Sequence, residues 1–118
     1  MKSDTIIRVA ALSAAMAIAT GAFGAHAMSG QAQEWLRTGA MYQLPHAAAA
    51  ITVSRLDPRV SWVLLAGSLV FAVSLYAMAL GAPRWFGAIT PIGGATMIGG
   101  WLWLAFGRRP AFVRTIDD

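Results

Sequence analysis

The sequence predicts an all-α membrane protein, a four-helix antiparallel transmembrane bundle with both termini in the cytoplasm. Three observations lead to this fold class. Of the 118 residues, 58% are hydrophobic and only 12% are charged, which is far more apolar than a soluble domain. The chain contains apolar stretches of about 20 residues, the length that a membrane-spanning helix needs. Basic residues gather at the ends of these stretches, mostly on one side.

Three uncharged stretches, at 9–28, 60–82 and 85–107, are long enough to span a membrane as helices. A fourth, at 38–54, is shorter and contains Pro45, and we predict that it spans as well. The segments SGQAQEWLR, RLDPR and GAPR between them carry the charges and helix breakers that are typical of connecting loops. Short loops make neighbouring helices antiparallel. We predict one domain, 1–118, with spans at about 6–28, 38–56, 60–82 and 86–107.

Basic residues predict the orientation, since positive charge is retained in the cytoplasm. The side that holds both termini carries most of the Lys and Arg residues, namely Lys2, Arg8, Arg55, Arg59, Arg108, Arg109 and Arg114. The opposite side carries only Arg37 and Arg84. Both termini are therefore expected in the cytoplasm.

The first apolar stretch has an alternative interpretation as a cleaved secretory signal, because AHA at 25–27 resembles a cleavage site. A retained helix is favoured by the length of the stretch and by small residues at every fourth position, which are Ser13, Ala17, Gly21 and Ala25. Small residues let two helices approach closely in lipid. We predict that these residues, together with Gly24, pack against a neighbouring helix.

The second stretch carries a polar stripe. Gly39, Tyr42, Gln43, His46 and Ala50 have the spacing of one helix face. Polar side chains in hydrocarbon are costly unless they are paired, so this face is expected to point at other helices. Under the predicted topology, a histidine of the first helix and a threonine of the fourth lie in the same outer half of the membrane and are the expected partners. The predicted polar cluster comprises His26, Tyr42, Gln43, His46 and Thr90.

The start of the fourth helix has two interpretations. Thr90 caps a helix that begins at Pro91, after an irregular lead-in at 85–89, or the helix begins near Trp85 and Pro91 only kinks it. In both cases the glycines that follow make the helix slim and let neighbours approach. The residues predicted to pack here are Pro91, Gly93, Gly94, Gly99 and Gly100.

Several short motifs occur in an order that resembles a known family. These are GAFGAH at 21–26, YQLPH at 42–46, SLY at 74–76, GAITPIGG at 87–94 and GW at 100–101. Together they resemble the YgdD-like small membrane proteins (domain of unknown function 423, with eukaryotic transmembrane protein 256 relatives). The resemblance implies a four-span protein of the bacterial inner membrane and no established activity. One departure is Pro45, where the family usually has a non-proline residue before the second histidine.

The two histidines have a packing interpretation and several chemical ones. As neutral imidazoles, His26 and His46 could join helices by hydrogen bonds. A zinc site would need Glu34 of a loop as a further ligand, and haem ligation or a histidine proton relay are further alternatives. We expect packing, with no cofactor and no metal. Serine hydrolase chemistry and a phosphate-binding loop are disfavoured, because the spans contain no Asp and no strand precedes the glycines.

These features predict a small inner-membrane protein that is not an enzyme and acts as an accessory, scaffold or interaction component. The alternative is a small oligomeric transporter or channel that uses the polar cluster in the outer half of the membrane. The expected partners are membrane lipids and either copies of the chain or another membrane protein. Nucleic acid is not expected, because the basic residues lie at the ends of apolar stretches and form no single polar face.

Overall fold

A computed structural model describes residues 2–109, with side chains from Asp4 onward, and all of its regular elements are helices. Arg114, which the sequence assigns to the cytoplasmic side, lies outside the described residues. A single 3-10 turn (Arg84–Ala88) precedes the last α-helix. The four α-helices are α1 (Lys2–Ala27), α2 (Gly30–Val53), α3 (Pro58–Ala79) and α4 (Thr90–Phe106). The predicted all-α class is confirmed.

Three segments of the described chain are long and apolar enough to cross a membrane. They are Asp4–Ala27, Pro58–Ala79 and Arg84–Phe106, the last including the 3-10 turn. Helix α2 is as long as the others, but its first two turns are polar. Hydropathy alone therefore does not identify α2 as a fourth span, and its packing against α1 and α3 becomes the relevant observation.

Helix α2 begins at Gly30, well before the predicted span at residue 38. The segment SGQAQEWLR was predicted as a connector, and this prediction is wrong, because only Met28 and Ser29 separate α1 from α2. Gln, Ala, Glu, Leu and Arg are good helix formers, so the segment is polar without being irregular. The Gln33 amide nitrogen donates a 3.2 Å hydrogen bond to the carbonyl of Gly24, which ties the start of α2 to the end of α1.

Helix α3 begins at a capped proline. The carboxylate of Asp57 accepts a 3.0 Å hydrogen bond from the backbone N–H of Arg59, and Pro58 occupies the first helical position, where no N–H is required. The Arg59 guanidinium also binds both oxygens of Asp57, at 3.0 and 2.9 Å. These hydrogen bonds lower the pKa of the Asp57 carboxyl below its ordinary value of 3.8, although burial opposes the shift.

The start of α4 agrees with the first of the two interpretations. Residues 84–88 form a separate 3-10 turn, and the α-helix begins at Thr90 with Pro91 in its first turn. Thr90 does not cap the helix, however, since its hydroxyl lies 2.6 Å from the hydroxyl of Ser74 on α3.

The helices pack in chain order. Helix α2 lies against both α1 and α3, α1 touches α3 lightly, and α4 packs against α3. Within residues 2–109, α1 and α4 make no backbone contact with each other. Three small apolar clusters form the core, and the one that joins α1, α2 and α3 contains Ile6, Ala10, Ala47, Ala50 and Leu65. A helix at the end of such a row keeps most of its surface free.

Glycines bring α3 and α4 into backbone contact. A Cβ atom added to Gly93 would collide with the backbone nitrogen of Phe71, and one added to Gly67 would lie 2.9 Å from the backbone nitrogen of Met97. Gly100 lies against Leu64, where a Cβ would come within 2.8 Å of the side chain. Close approach of this kind is typical of helix pairs in membranes, where small residues let the backbones meet.

The residues predicted to pack do not all do so. The structure buries Ser13, Ala17, Gly24, Gly93 and Gly100, half-buries Gly21 and Gly94, and leaves Ala25, Pro91 and Gly99 exposed. Residues four apart drift by about 40° per step around a helix of 3.6 residues per turn. Ala25 has therefore rotated away from the face that Ser13 begins, and Gly24 takes its place against Leu36.

Candidate functional site

The buried polar residue of α2 is Gln43, which is fully inaccessible and joins three helices. Its amide nitrogen donates a 3.0 Å hydrogen bond to the hydroxyl of Ser13 on α1. Its amide oxygen accepts a 2.6 Å hydrogen bond from the hydroxyl of Tyr76 on α3. We call Ser13, Gln43 and Tyr76 the core polar triad.

A small residue next to Gln43 in the helix allows the triad to form. Gly39 lies one turn before Gln43, and the ring of Tyr76 occupies the space where a Cβ of Gly39 would stand. The ring can therefore cross α2 and reach the amide. Ser13 is 4% exposed on the face of α1 that meets α2, so its hydroxyl has no access to water. A triad whose donors and acceptors match in this way stabilises one register of the three helices.

His46 makes a second polar contact, with α4. The indole N–H of Trp101 donates a 3.0 Å hydrogen bond to Nε2 of His46, while Nδ1 lies 2.7 Å from the carbonyl oxygen of Tyr42. An indole is a donor only, so Nε2 must accept and the fitting tautomer carries its proton on Nδ1. Both imidazole nitrogens are thus used. The rings of His46 and Trp101 meet edge to face, with centroids 5.9 Å apart.

The other members of the predicted cluster lie elsewhere. The ring of Tyr42 packs on Phe71 at a centroid distance of 4.8 Å and is nearly half exposed. Thr90 pairs with Ser74. His26 is exposed at the end of α1, and within the described part of the chain it makes no hydrogen bond or ion pair. The structure therefore separates the five residues into different contacts and does not form the single predicted cluster.

The early start of α2 explains the separation. Gly24 lies against Leu36, so the neighbouring His26 is level with the first turns of α2. Ten residues separate Leu36 from His46, which is about 15 Å along a helix. The sequence prediction assumed a second span that begins near Thr38 and so placed His26 and His46 in the same outer half of the membrane. With α2 at Gly30–Val53, His46 lies past the middle of its helix.

Sequence reasoning missed the partners of these polar groups. Ser13 was assigned to packing because of its size, although its hydroxyl is the feature that Gln43 uses. Ser74, Tyr76 and Trp101 belonged to the SLY and GW motifs, but no contact was assigned to them. A usable signal existed: buried Gln in a membrane needs both a donor and an acceptor, and hydroxyl residues on adjacent helices supply them.

These polar contacts hold helices together. Within residues 2–109, no group of three His, Asp or Glu residues could hold a metal ion. No buried side-chain nitrogen or oxygen atom of the described residues lacks a hydrogen-bond partner. Each polar group of the interior is therefore occupied by another residue of the chain.

Comparison with known proteins places these features in a family. Residues 20–94 match the family described as protein of unknown function (DUF423). A UPF0382 membrane protein of Staphylococcus epidermidis is 38% identical over 108 residues, which cover 81% of this chain and 88% of the relative. A UPF0382 membrane protein of Haemophilus influenzae is 37% identical, with 86% of this chain and 90% of the relative covered.

The UPF0382 inner membrane protein YgdD of Escherichia coli is 34% identical, with 91% of each chain covered. No solved structure matches the chain significantly. The match to the family extends over most of the described residues and includes Gln43, His46 and Tyr76. The chain belongs to the UPF0382 (DUF423) family and is a small multi-pass protein of the bacterial inner membrane.

Proposed function

We propose that this protein is a non-enzymatic accessory or interaction component of the inner membrane. In this proposal all four helices cross the bilayer as an antiparallel bundle, and both termini are cytoplasmic. The partners are the surrounding lipids and either a second copy or another membrane protein. The observation that carries the proposal is the mutual bonding of the interior polar groups, which leaves packing as their role.

The contacts between successive helices support the antiparallel arrangement. Gln43 binds Ser13 near the middle of α1, while Leu36 lies against Gly24 near its end. Later contacts in α2 thus pair with earlier residues of α1. The serine hydroxyl of Ser61, early in α3, donates a 2.7 Å hydrogen bond to the carbonyl of Ala50, late in α2. Such pairing requires neighbouring helices of opposite direction.

The packing of α2 supports its inclusion among the spans. Its buried residues recur along the whole helix, namely Leu36, Gly39, Gln43, Ala47, Ala50 and Val53. A helix that packs along its length against two apolar helices shares their depth. At 1.5 Å per residue it is about 36 Å long, enough to cross the hydrocarbon core. The ion-paired Glu34 and Arg37 would then lie at the outer surface.

The charges support the orientation. Arg55, Arg59 and Arg108 lie at the ends of helices that meet on one side, and the Arg59 guanidinium donates to the carbonyl of Arg108 at 3.4 Å. Arg37 and Arg84 lie toward the opposite side. Positive charge is retained in the cytoplasm, so the former side is assigned there.

The free surface of α4 supports an interaction role. Helix α4 buries only Gly93, Met97 and Gly100, all against α3. Its other faces carry large apolar side chains, such as Ile92, Ile98 and Leu102, each more than half exposed. A helix at the end of a row is the one that a neighbouring helix in the membrane can reach. The transport alternative is not carried forward, because the core polar triad and the His46 contact share no hydrogen bond and join α2 to different helices.

The topology can be tested by cysteine labelling, because the chain contains no cysteine. Single variants Ser29→Cys and Ala82→Cys lie in the outer connections, and Arg55→Cys lies in the inner one. In intact spheroplasts, a membrane-impermeant maleimide is expected to label the first two and to label Arg55→Cys only after lysis. The opposite pattern, or labelling of all three in intact cells, would contradict the proposed topology.

The interaction role can be tested by native mass spectrometry of the protein extracted in mild detergent. A discrete complex with a second copy or another membrane protein is expected. Photo-crosslinking residues at Leu102 of α4 should capture the same partner, while the matched position Leu44, on α2 between its two neighbouring helices, should not. A monomer without partner in every mild detergent, with no discrete crosslink from α4, would overturn the proposal.

A further inference from the structure

A groove opens sideways between α2 and α4, above a floor formed by α3. Within residues 2–109 the backbones of α2 and α4 do not touch, and the cavity between them has a volume of about 390 Å³. Its walls are mainly aromatic and aliphatic. The residues used below are Tyr42, His46, Phe71, Gly94, Ile98 and Trp101.

The groove lies at the depth of the bilayer interior. Gly94 lies at the middle of the apolar segment Arg84–Phe106, and Trp101 lies two turns further along, seven residues before Arg108. Membership of a membrane protein family places that segment in lipid. A groove at this depth is open to hydrocarbon chains and closed to water.

Three features give the groove a defined shape. The hydrogen bond between Trp101 and His46 spans it and joins its two walls. Gly94 leaves room in the groove on the α4 side. A Cβ at this position would lie 3.9 Å from the Phe71 ring, in ordinary van der Waals contact. The ring of Tyr42 packs on Phe71 and fixes the opposite edge.

We propose that this groove binds one acyl chain of a phospholipid from the surrounding bilayer. The polar atoms of His46 and the indole of Trp101 are already bonded to each other and to the backbone, so they require nothing from an occupant. Recognition is by shape and apolar contact. The inference does not depend on the accessory role, since it requires only that the protein lies in a membrane.

The size of the groove favours a chain over a helix of a second copy. A helix is about 10–12 Å across, which is too wide to enter between walls whose side chains, Trp101 and His46, are joined by a 3.0 Å hydrogen bond. A hydrocarbon chain is roughly 4 Å wide, the contact distance between carbon atoms, and fits lengthwise.

The test compares two glycines of α4. In Gly94→Leu the new side chain fills the groove, whereas Gly99→Leu adds the same side chain where nothing lies within 4 Å. The full-length protein is stripped of lipid by detergent exchange and titrated with dioleoylphosphatidylcholine or dioleoylphosphatidylglycerol. Native mass spectrometry then counts lipids per monomer, and circular dichroism checks the fold of each variant.

One retained lipid per monomer is expected for the unmodified protein and for Gly99→Leu, with either headgroup. Gly94→Leu is expected to bind at least about tenfold more weakly, because one side chain displaces the apolar contacts of the chain. Equal lipid binding by both variants would overturn the proposal. So would binding that requires the glycerol headgroup and ignores Gly94→Leu, since it would place the lipid site at the arginines.

A second pair of variants keeps the test decisive if Gly94→Leu fails to fold. Ile98 and Ile92 of α4 are 63% and 62% exposed, but only Ile98 lines the groove. Ile98→Trp should therefore weaken lipid retention while Ile92→Trp leaves it unchanged. A dimer that is present in the unmodified protein and lost with Ile98→Trp, without a change in lipid binding, would show that a second copy occupies the groove and would overturn the proposal.

Discussion

The two sides of α3 are held by different kinds of contact. On one side, α1 and α2 are joined to α3 through the fully buried Gln43, whose amide uses both its donor and its acceptor. On the other side, α4 meets α3 mainly through bare backbone at Gly67 and Gly93, with one hydroxyl pair between Thr90 and Ser74. Its polar link to α2 is the half-exposed His46. The first three helices therefore share a fully buried polar register, whereas α4 is positioned mainly by shape.

This difference predicts which kind of substitution destabilises each side of α3. A contact between backbones tolerates no added atom, because neither helix can move a side chain out of the way. A hydrogen-bonded triad does not tolerate the loss of a partner, since the remaining groups stay buried and unbonded. The variants below are ranked by expected loss of unfolding free energy, measured by denaturant titration in detergent micelles.

The largest effect is expected from Gly93→Ala. The added methyl group would collide with the backbone of Phe71 and lie 2.7 Å from the carbonyl oxygen of Gly67, so α4 must move away from α3. We expect a loss of about 3 kcal/mol, at the upper end of overpacking effects. Gly99→Ala is the matched control, and with open space around it the change is expected to be neutral or stabilising by up to about 1 kcal/mol. Similar losses for both variants would show that the glycine crossing does not position α4.

The second effect is expected from Gln43→Leu, which keeps the volume but removes the amide. The hydroxyls of Ser13 and Tyr76 would remain buried without their partner, and we expect a loss of about 2 kcal/mol. Thr52→Val serves as control, because the Thr52 hydroxyl is exposed and bonds only within α2. A loss no greater than that of the control would mean that the triad does not set the register.

The third effect concerns the cap of α3 and depends on pH. Asp57→Ala removes the side-chain cap and is expected to lose about 1 kcal/mol at pH 7. Because the pKa of Asp57 in the folded protein lies below 3.8, its contribution is fully present above that pH and is lost as the pH falls through the lowered pKa. The stability difference between the two proteins should therefore shrink below pH 4. A difference that stays constant down to pH 2 would rule out the ionised cap.

The smallest effect is expected from His46→Leu. It removes the hydrogen bond from Trp101 but leaves no fully buried group behind, since Trp101 is itself exposed. We expect a loss of about 0.6 kcal/mol, the average for a hydrogen bond between membrane helices. If this loss equalled that of Gln43→Leu, the contrast between the two sides of α3 would not hold.

The sequence predicted the helices better than it predicted their contacts. Apolar length identifies α1, α3 and α4, and the Thr90–Pro91 pair marks a helix start. The start of α2 was missed because QAQEWLR is polar and yet helix-forming, so hydropathy and helix formation disagree there. A polar residue's depth depends on that start, and an error of eight residues moves a group by about 12 Å. The predicted cluster failed for this reason.

The partners of Gln43 show a second limit. Ser13 and Tyr76 are 30 and 33 residues away from Gln43 in sequence, and nothing local to either residue identifies the amide. The residue type shows that a buried Gln needs hydrogen-bond partners. The register of the helices decides which residues are close enough to be those partners. The same holds for Gly67, whose importance depends on meeting the backbone of α4 at Gly93 and Met97.

The register of α1 against α2 is the central claim, and disulfide formation tests it most directly. A Cβ at Gly21 would lie 3.4 Å from that of Ala40, close to the Cβ separation of a disulfide, and the chain has no other cysteine. Oxidation of the double variant Gly21→Cys, Ala40→Cys in membranes is expected to give an intramolecular disulfide. His26→Cys, His46→Cys is expected to give none. A disulfide in the second pair and none in the first would restore the single polar cluster and contradict the account.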